Sequence, residues 1–188
     1  MTRLTRINDS VFTVKDFFTP AECAEYIRLT EDVGYASAPI TTASGPQHKP
    51  DVRNNTRVMI DDVTRAGDVW RRAAEHVGVR EDEWQPIGLN ERFRFYRYDV
   101  GQQFDWHYDG YFSRPSGERS LLTFMVYLND DFEGGQTAFE DCVVEPETGM
   151  ALFFVHFIRH KGQPVTNGRK YVLRSDVMFR CLGGHGRT

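Results

Sequence analysis

Cysteine is scarce in this sequence, and its three residues, Cys23, Cys142 and Cys181, form no C-x-x-C pair. This spacing excludes a disulfide framework and argues against a zinc knuckle built on cysteines. The sequence also lacks an apolar leader, and no segment approaches the roughly 18 consecutive apolar residues of a membrane span. We therefore expect a cytoplasmic protein from a reducing compartment, with no membrane partner.

An excess of positive charge is also absent. Lys and Arg number 23 against 27 Asp and Glu, which gives a net charge of −4 and argues against a protein that binds nucleic acid mainly through phosphates. The 40% hydrophobic and 13% aromatic content is sufficient for a packed core and argues against extended disorder. A length of 188 residues predicts a single domain over residues 1–188.

Helical signals are confined to the first half of the sequence, where residues 1–89 are predicted to form a helical support and a substrate-loop region. Thr19, Pro20 and Glu22 form a capping box that predicts a helix ending near Val33, before Gly34. An apolar stripe predicts a second helix over about residues 62–76. Between them, residues 38–57 are rich in Gly, Pro, Asn and hydroxyl side chains, and predict a long exposed loop.

The second half reads as short strands separated by turns. The segment ERFRFYRY alternates polar and aromatic residues from Glu91 onward, and several apolar runs follow at regular spacing. This pattern predicts a mainly β, α+β fold: a jelly-roll core over residues 90–182, with two to three helices packed on one sheet.

Two histidines and an aspartate stand out as candidate metal ligands. His107 and Asp109 are two residues apart, so on a strand their side chains would share a face. His160 follows a later apolar run and offers a second imidazole. Two His and one carboxylate are the ligand set of non-haem Fe(II) oxygenases. We interpret His156 as a strand residue rather than a ligand, and His48, His76 and His185 have no partner at ligand spacing.

The sequence around these ligands resembles a known family. Residues 97–109 read RYDVGQQFDWHYD and residues 160–170 read HKGQPVTNGRK, with YLN at 127–129 and GGQTAF at 134–139 between them. These motifs, in this order, resemble the prolyl 4-hydroxylase-like branch of the 2-oxoglutarate- and Fe(II)-dependent dioxygenases. The resemblance implies a double-stranded β-helix, the jelly-roll fold expected above.

The resemblance also implies roles for individual residues. His107, Asp109 and His160 would hold Fe(II) and leave coordination positions for 2-oxoglutarate and O2. Lys170 follows His160 at the spacing of the family's basic anchor for the distal carboxylate of 2-oxoglutarate. The co-substrate-binding residues are thus predicted to be Lys170, Tyr127 and Tyr98, with Arg174 as a replacement or assistant for Lys170.

Substrate contacts are expected from the segment over residues 41–57, at the place where the family carries a substrate-covering segment. Arg53, Asn54 and Arg57 supply paired donors that suit a carboxylate or a peptide carbonyl. The interpretation is a dioxygenase that hydroxylates an unactivated C–H bond of a prolyl residue, amino acid or related small molecule, and releases succinate and CO2. Two alternatives stay open: a nucleic-acid or modified-base demethylase of the same superfamily, and a non-catalytic jelly-roll binding module.

Overall fold

The computed structural model describes residues 2–42, 44–78 and 84–182, so His185 lies outside the described residues. Two helices, α1 (Pro20–Val33) and α2 (Val63–Ala73), accompany a large set of strands in this part of the chain. The strands are β1 (Arg3–Arg6), β2 (Val11–Lys15), β3 (Ala36–Ser37), β4 (Ile40–Thr42), β5 (Gly45–Gln47), β6 (Thr56–Asp61), β7 (Trp84–Leu89), β8 (Arg92–Tyr98), β9 (Phe104–His107), β10 (Arg119–Tyr127), β11 (Phe132–Gly134), β12 (Thr137–Phe139), β13 (Val143–Val144), β14 (Ala151–Val155), β15 (His160–Gly162), β16 (Val165–Gly168) and β17 (Lys170–Cys181). Neither helix is long and apolar enough to cross a membrane.

Helix α1 begins and ends where the sequence predicts. The Thr19 hydroxyl accepts the Glu22 N–H, and the Glu22 carboxylate accepts the Thr19 N–H at 2.7 Å. This reciprocal pair satisfies two donors that a helix start leaves free. At the other end Gly34 adopts φ 87°, and its N–H bonds the carbonyl of Thr30.

Helix α2 is shorter than predicted. Asp62 caps it by accepting the Arg65 N–H at 2.8 Å, and the helix ends at Ala73 rather than near residue 76. Its buried stripe of Ala66, Val69 and Ala73 packs in the same apolar cluster as the main-sheet residues Phe93 and Phe95.

Two antiparallel sheets build the core. The main sheet has the order β1-β2-β14-β10-β17-β8-β6-β3, with β7 also paired to β17. The second sheet has the order β13-β12-β15-β9, and β11 pairs with β16 beside it. Alternation along the main sheet sends Phe153 toward the helices, whereas Leu152 and Phe154 join the cluster that contains Phe139 of the second sheet. The predicted jelly roll with helices on one sheet is confirmed.

The predicted exposed loop over residues 38–57 is wrong in part. Strands β4 and β5 form a hairpin, and Arg53 and Asn55 are buried rather than exposed. The cause is contact with a distant part of the chain. Arg53 forms an isolated β-bridge with Phe104, and the Asp105 N–H donates to the carbonyl of Val52 at 2.8 Å. This segment is therefore fastened to the strand that carries the first candidate ligand.

Candidate active site

The three candidate metal ligands come together where the second sheet meets the main sheet. His107 ends β9, His160 begins β15, and the two are register partners in that strand pair. Asp109 lies two residues beyond the end of β9, so it does not share a strand face with His107 as predicted. Its backbone N–H instead bonds the carbonyl of His156 at 3.2 Å. One donor atom from each ligand lies within 4.8 Å of the others.

Both imidazoles are prepared to bind a metal. The Nδ1 atom of His107 lies 2.7 Å from the carbonyl of Asp105, and that of His160 lies 3.1 Å from the carbonyl of Ile158. A carbonyl only accepts, so each Nδ1 carries the proton and each Nε2 lone pair is free for a metal. Burial lowers the pKa of His107 to about 3 and also lowers that of His160, so both rings are neutral at pH 7.

Asp109 is the charged member of the ligand set. Burial by itself would raise its pKa, but the adjacent Arg174 guanidinium and the two imidazoles hold the pKa below its usual range. Asp109 Oδ2 lies 3.0 Å from Arg174 Nη2 and 2.5 Å from the Thr123 hydroxyl. A carboxylate with two neutral imidazoles, held at this spacing, fits Fe(II).

Arg174 lies at the metal end of the pocket. Besides Asp109, its Nη2 contacts Asp176 Oδ1 at 3.1 Å, and Asp176 in turn pairs with Arg94 at 3.1 Å. Lys170 and Arg174 line the same pocket, as their spacing on β17 predicts, but four residues of strand separate their Cα atoms by about 13 Å. The structure thus pairs Arg174 with a candidate ligand rather than placing it beside Lys170.

Lys170 lies at the other end of the pocket and is only 3% exposed. Its ammonium group donates to the carbonyl of Gly135 and lies 5.3 Å from the ring centroids of both Tyr98 and Tyr127. Within the described ranges no carboxylate pairs with it, and burial lowers its pKa to about 7. A buried ammonium with no counter-charge is a site for an anionic group.

The two predicted tyrosines occupy different positions. Tyr98 lines the pocket on β8, where it is the register partner of Lys170. Tyr127 is fully buried, and its hydroxyl donates at 2.7 Å to the Oγ1 atom of Thr137, which lines the pocket, so its contact with 2-oxoglutarate stays a prediction. Sequence reasoning missed Thr137 although it lies inside the quoted GGQTAF motif. The remaining walls are Tyr96, Phe104, Met125, Gly162 and Val172.

The three predicted substrate residues are not equivalent. Arg53 is 7% exposed, and its guanidinium lies 4.6 Å from the Tyr96 ring centroid and 4.3 Å from that of Phe104, both of which line the pocket. Its Nε donates to Asn55 Oδ1 at 2.7 Å, whereas its buried Nη2 has no hydrogen-bond partner among the described residues.

Asn54 and Arg57 are less directly placed. Asn54 is exposed, and its Oδ1 accepts the Gln103 N–H at 2.7 Å, so it holds its segment against the residues that precede β9. Arg57 is partly buried on β6, opposite Tyr96 of β8. Asn55, which sequence reasoning missed, is fully buried and orients Arg53.

Known proteins resemble this chain in the region of the site. The family model described as the 2OG-Fe(II) oxygenase superfamily matches residues 93–175, which contain all three candidate ligands. The match supports the resemblance to the 2-oxoglutarate- and Fe(II)-dependent dioxygenases that the motifs indicate. The sequence relatives are prolyl 4-hydroxylases and include prolyl 4-hydroxylase 1 of Arabidopsis thaliana, 26% identical over 163 residues that cover 77% of this chain and 56% of the relative. The chain spans about half the length of the curated relatives it matches.

Solved structures of two prolyl hydroxylases share the fold of this chain. The viral collagen prolyl hydroxylase of Paramecium Bursaria Chlorella virus-1, in its 2OG complex, superposes with a TM-score of 0.63 at 19% identity, covering 91% of this chain and 97% of the viral chain. A Trichoplax adhaerens prolyl hydroxylase, in complex with a hypoxia inducible factor peptide fragment, gives a TM-score of 0.66 at 16% identity, with 90% and 84% covered.

The cofactors follow from the family and from the chemistry of the pocket. The His107–Asp109–His160 donor set fits Fe(II), and the unpaired buried ammonium of Lys170 fits a carboxylate of 2-oxoglutarate. With O2 as the second co-substrate of the superfamily, the predicted cofactors are confirmed.

Proposed function

We propose that this oxygenase uses Fe(II), 2-oxoglutarate and O2 to hydroxylate an unactivated C–H bond, with release of succinate and CO2. The observation that carries the proposal is a single pocket that joins two neutral imidazoles and a carboxylate at one end to the buried Lys170 at the other. When bound, the iron and its 2-oxo acid supply the oxidising chemistry.

The residues of the chain bind and orient. His107, Asp109 and His160 hold the metal, and Arg174 keeps Asp109 ionised by lying 3.0 Å from its Oδ2. Lys170 pairs with the distal carboxylate of 2-oxoglutarate, which restores the charge balance of a fully desolvated ammonium. Tyr98 and Thr137 line the path between the two ends, and the apolar walls exclude water from it.

The prime substrate is a prolyl residue, an amino acid or a related small molecule. The names of the relatives favour the prolyl choice, and the Trichoplax neighbour, solved with a peptide fragment, favours a peptide or protein. The unpartnered Nη2 of Arg53 supports recognition of a carboxylate or a peptide carbonyl. Arg57, on β6 opposite Tyr96 of β8, is the second candidate donor for such a group. Asn54 positions this segment through Gln103.

The experiment is succinate formation. The purified protein is incubated with Fe(II), 2-oxoglutarate and O2, with and without a panel of L-proline and prolyl peptides, beside a matched Asp109→Ala variant. We expect the wild type to form succinate and the Asp109→Ala variant to form none. Mass spectrometry should find that the wild type makes a substrate heavier by one oxygen atom. Binding of 2-oxoglutarate without succinate across the panel would instead support the binding module. Turnover stimulated only by methylated nucleic acid would support the demethylase, which the net charge of −4 disfavours.

A further inference from the structure

His156 is fully buried beside the metal ligands, yet it is not one of them. Both of its ring nitrogens have a hydroxyl partner. Nδ1 lies 3.0 Å from Thr123 Oγ1, and Nε2 lies 2.8 Å from Ser120 Oγ. The Thr123 hydroxyl also reaches Asp109 Oδ2 at 2.5 Å. Ser120, His156 and Thr123 thus form a continuous hydrogen-bonded chain, here named the relay, that ends on the carboxylate of Asp109.

The partners at the two ends fix the position of each proton. The Asp109 carboxylate is ionised and only accepts, so the Thr123 hydroxyl proton must point to it. Thr123 Oγ1 is therefore an acceptor toward His156, which requires a proton on Nδ1.

At the other end Ser120 Oγ accepts the backbone N–H of Phe112 at 2.9 Å, so its own proton is free to point to His156 Nε2. All donors in the relay then point toward Asp109.

The relay determines which carboxylate oxygen is available to the metal. Asp109 Oδ2 accepts from both Thr123 and Arg174. Asp109 Oδ1 lies 3.9 Å from His107 Nε2, and Oδ2 lies 3.7 Å from His160 Nε2. Because the hydrogen bonds are made to Oδ2, they fix the plane of the carboxylate beside the two imidazoles and leave Oδ1 as the oxygen that accepts none of them. Groups that orient a metal ligand through its hydrogen bonds contribute to metal affinity without touching the ion.

We propose that Ser120, His156 and Thr123 position Asp109 for metal binding, with His156 held as the Nδ1–H tautomer. His156 is a positioning residue, since it acts through Thr123. The inference rests on the proposed function in one respect, because it needs Asp109 to be a metal ligand.

The tautomer is tested directly by NMR. Uniformly 15N-labelled, metal-free protein is examined at pH 7 through long-range correlations between the ring nitrogens and the carbon-bound protons of histidine. The signals absent from His156→Asn protein identify His156. We expect Nδ1 to be the protonated nitrogen and Nε2 the unprotonated one. An Nε2–H tautomer or an imidazolium at this pH would overturn the proposal.

The positioning role is tested by metal affinity, measured with Co(II) through its visible absorption. Thr123→Val keeps the shape and removes the hydroxyl, and His156→Leu removes both ring hydrogen bonds. Each should weaken Co(II) binding by about 10-fold to 100-fold, and the double variant should be no weaker than the weaker single variant. Thr123→Ser and His156→Asn, which retain a donor or acceptor at the same place, should stay within about threefold of the wild type.

The outcomes separate the relay from the metal site itself. Wild-type affinity in His156→Leu, or fully additive losses in the double variant, would overturn the relay. If near-UV circular dichroism shows that His156→Leu does not fold, Ser120→Ala replaces it: a measurable loss of affinity supports the relay, and an unchanged affinity and tautomer oppose it. Retained Co(II) binding in Asp109→Ala would contradict the proposed function instead, because Asp109 would then not be a ligand.

Discussion

His107 and His160 are direct cross-strand partners of β9 and β15, and their imidazole centroids lie 4.2 Å apart. The distance between the two nitrogen ligands is therefore set by the backbone hydrogen bonds of a sheet and not by flexible loops. The imidazole of His107 is further fixed by Phe104, whose ring stacks on it at 3.5 Å between centroids. A ligand pair of this kind is preorganised before the metal arrives.

Replacing His107, Asp109 or His160 by Ala should weaken Co(II) binding at least about 100-fold, since two protein ligands hold a divalent ion poorly against water. Isothermal titration calorimetry measures the loss. His48→Ala is the matched control, because His48 is exposed and bonds only Ser37 among the described residues. Wild-type affinity in His160→Ala would contradict the ligand assignment.

Lys170→Met should weaken 2-oxoglutarate binding to the metal-loaded protein by about 2–5 kcal/mol, because a buried carboxylate loses its charge partner. Co(II) affinity should change little. Lys161→Met is the control, since Lys161 lies over Trp106 and outside the pocket lining. Arg174→Ala should act mainly on metal affinity through Asp109. If Arg174→Ala lost more 2-oxoglutarate affinity than Lys170→Met, Arg174 rather than Lys170 would be the anchor.

Binding of 2-oxoglutarate should weaken as pH rises above 7. The pKa of Lys170 in the ligand-free protein is about 7, so the protonated fraction that a carboxylate needs falls by up to about tenfold per pH unit above that value. Equilibrium dialysis between pH 6.5 and 9 checks this, and Lys170→Met should show a flat, weak affinity.

The lowered pKa of Lys170 has the opposite effect on the free energy of unfolding, which should increase as the pH rises. In the unfolded chain Lys170 has its ordinary pKa of 10.5 and binds the proton more tightly than in the folded protein, so the ligand-free protein should gain stability between pH 7 and 10.5. Urea unfolding of the wild type and of Lys170→Met isolates this contribution. A wild-type free energy of unfolding that falls over this range, relative to the variant, would contradict the shift.

Arg53→Ala should raise the concentration of the L-proline or prolyl-peptide probe that half-saturates 2-oxoglutarate turnover by at least about tenfold, because a desolvated charged donor is lost. Arg53→Lys should recover part of the effect, since a single ammonium cannot reproduce the paired donors. Arg28→Ala, on the exposed face of α1, is the control. An unchanged half-saturating concentration would remove Arg53 from substrate recognition.

Gly149→Ala should destabilise the fold by more than about 2 kcal/mol. Gly149 has φ 78°, and an added Cβ would lie 2.0 Å from the carbonyl oxygen of Phe18. At Gly67 on α2 an added Cβ would meet no atom within 4 Å, so Gly67→Ala should instead stabilise the fold by about 0.5–1 kcal/mol. Thermal unfolding of the pair measures both. Equal melting temperatures would refute the argument from backbone geometry.

Features encoded over short distances in sequence were predictable. The capping box of α1 joins residues three apart, so Thr19 and Glu22 predict the start of the helix from local sequence alone. The ligand set was equally visible, because His107 and Asp109 stand in one short motif and His160 opens the other.

Features that depend on distant contacts were not predictable. Arg53 was read as part of an exposed loop, yet Phe104 and Tyr96 bury it. His156 and Thr123 look like ordinary strand residues until the pairing of β10 with β14 places them side by side. The hydrogen-bond partner of the Tyr127 hydroxyl is equally hidden in the sequence, because only the position of β12 shows that Thr137 accepts its proton. Register between strands, which composition and period do not specify, decided each of these.

The pairing of β2 with β14 has a consequence for how this protein is made. Strand β2 leaves the ribosome before β14, and both helices and strands β3 to β13 are synthesised between them, so the main sheet cannot close between β2 and β14 until all of these elements have been made. Val11 and Val14 of β2, both fully buried in the finished protein, remain exposed during that interval. Such distant pairings slow folding, and nascent chains of this protein should therefore depend on chaperones that shield apolar segments.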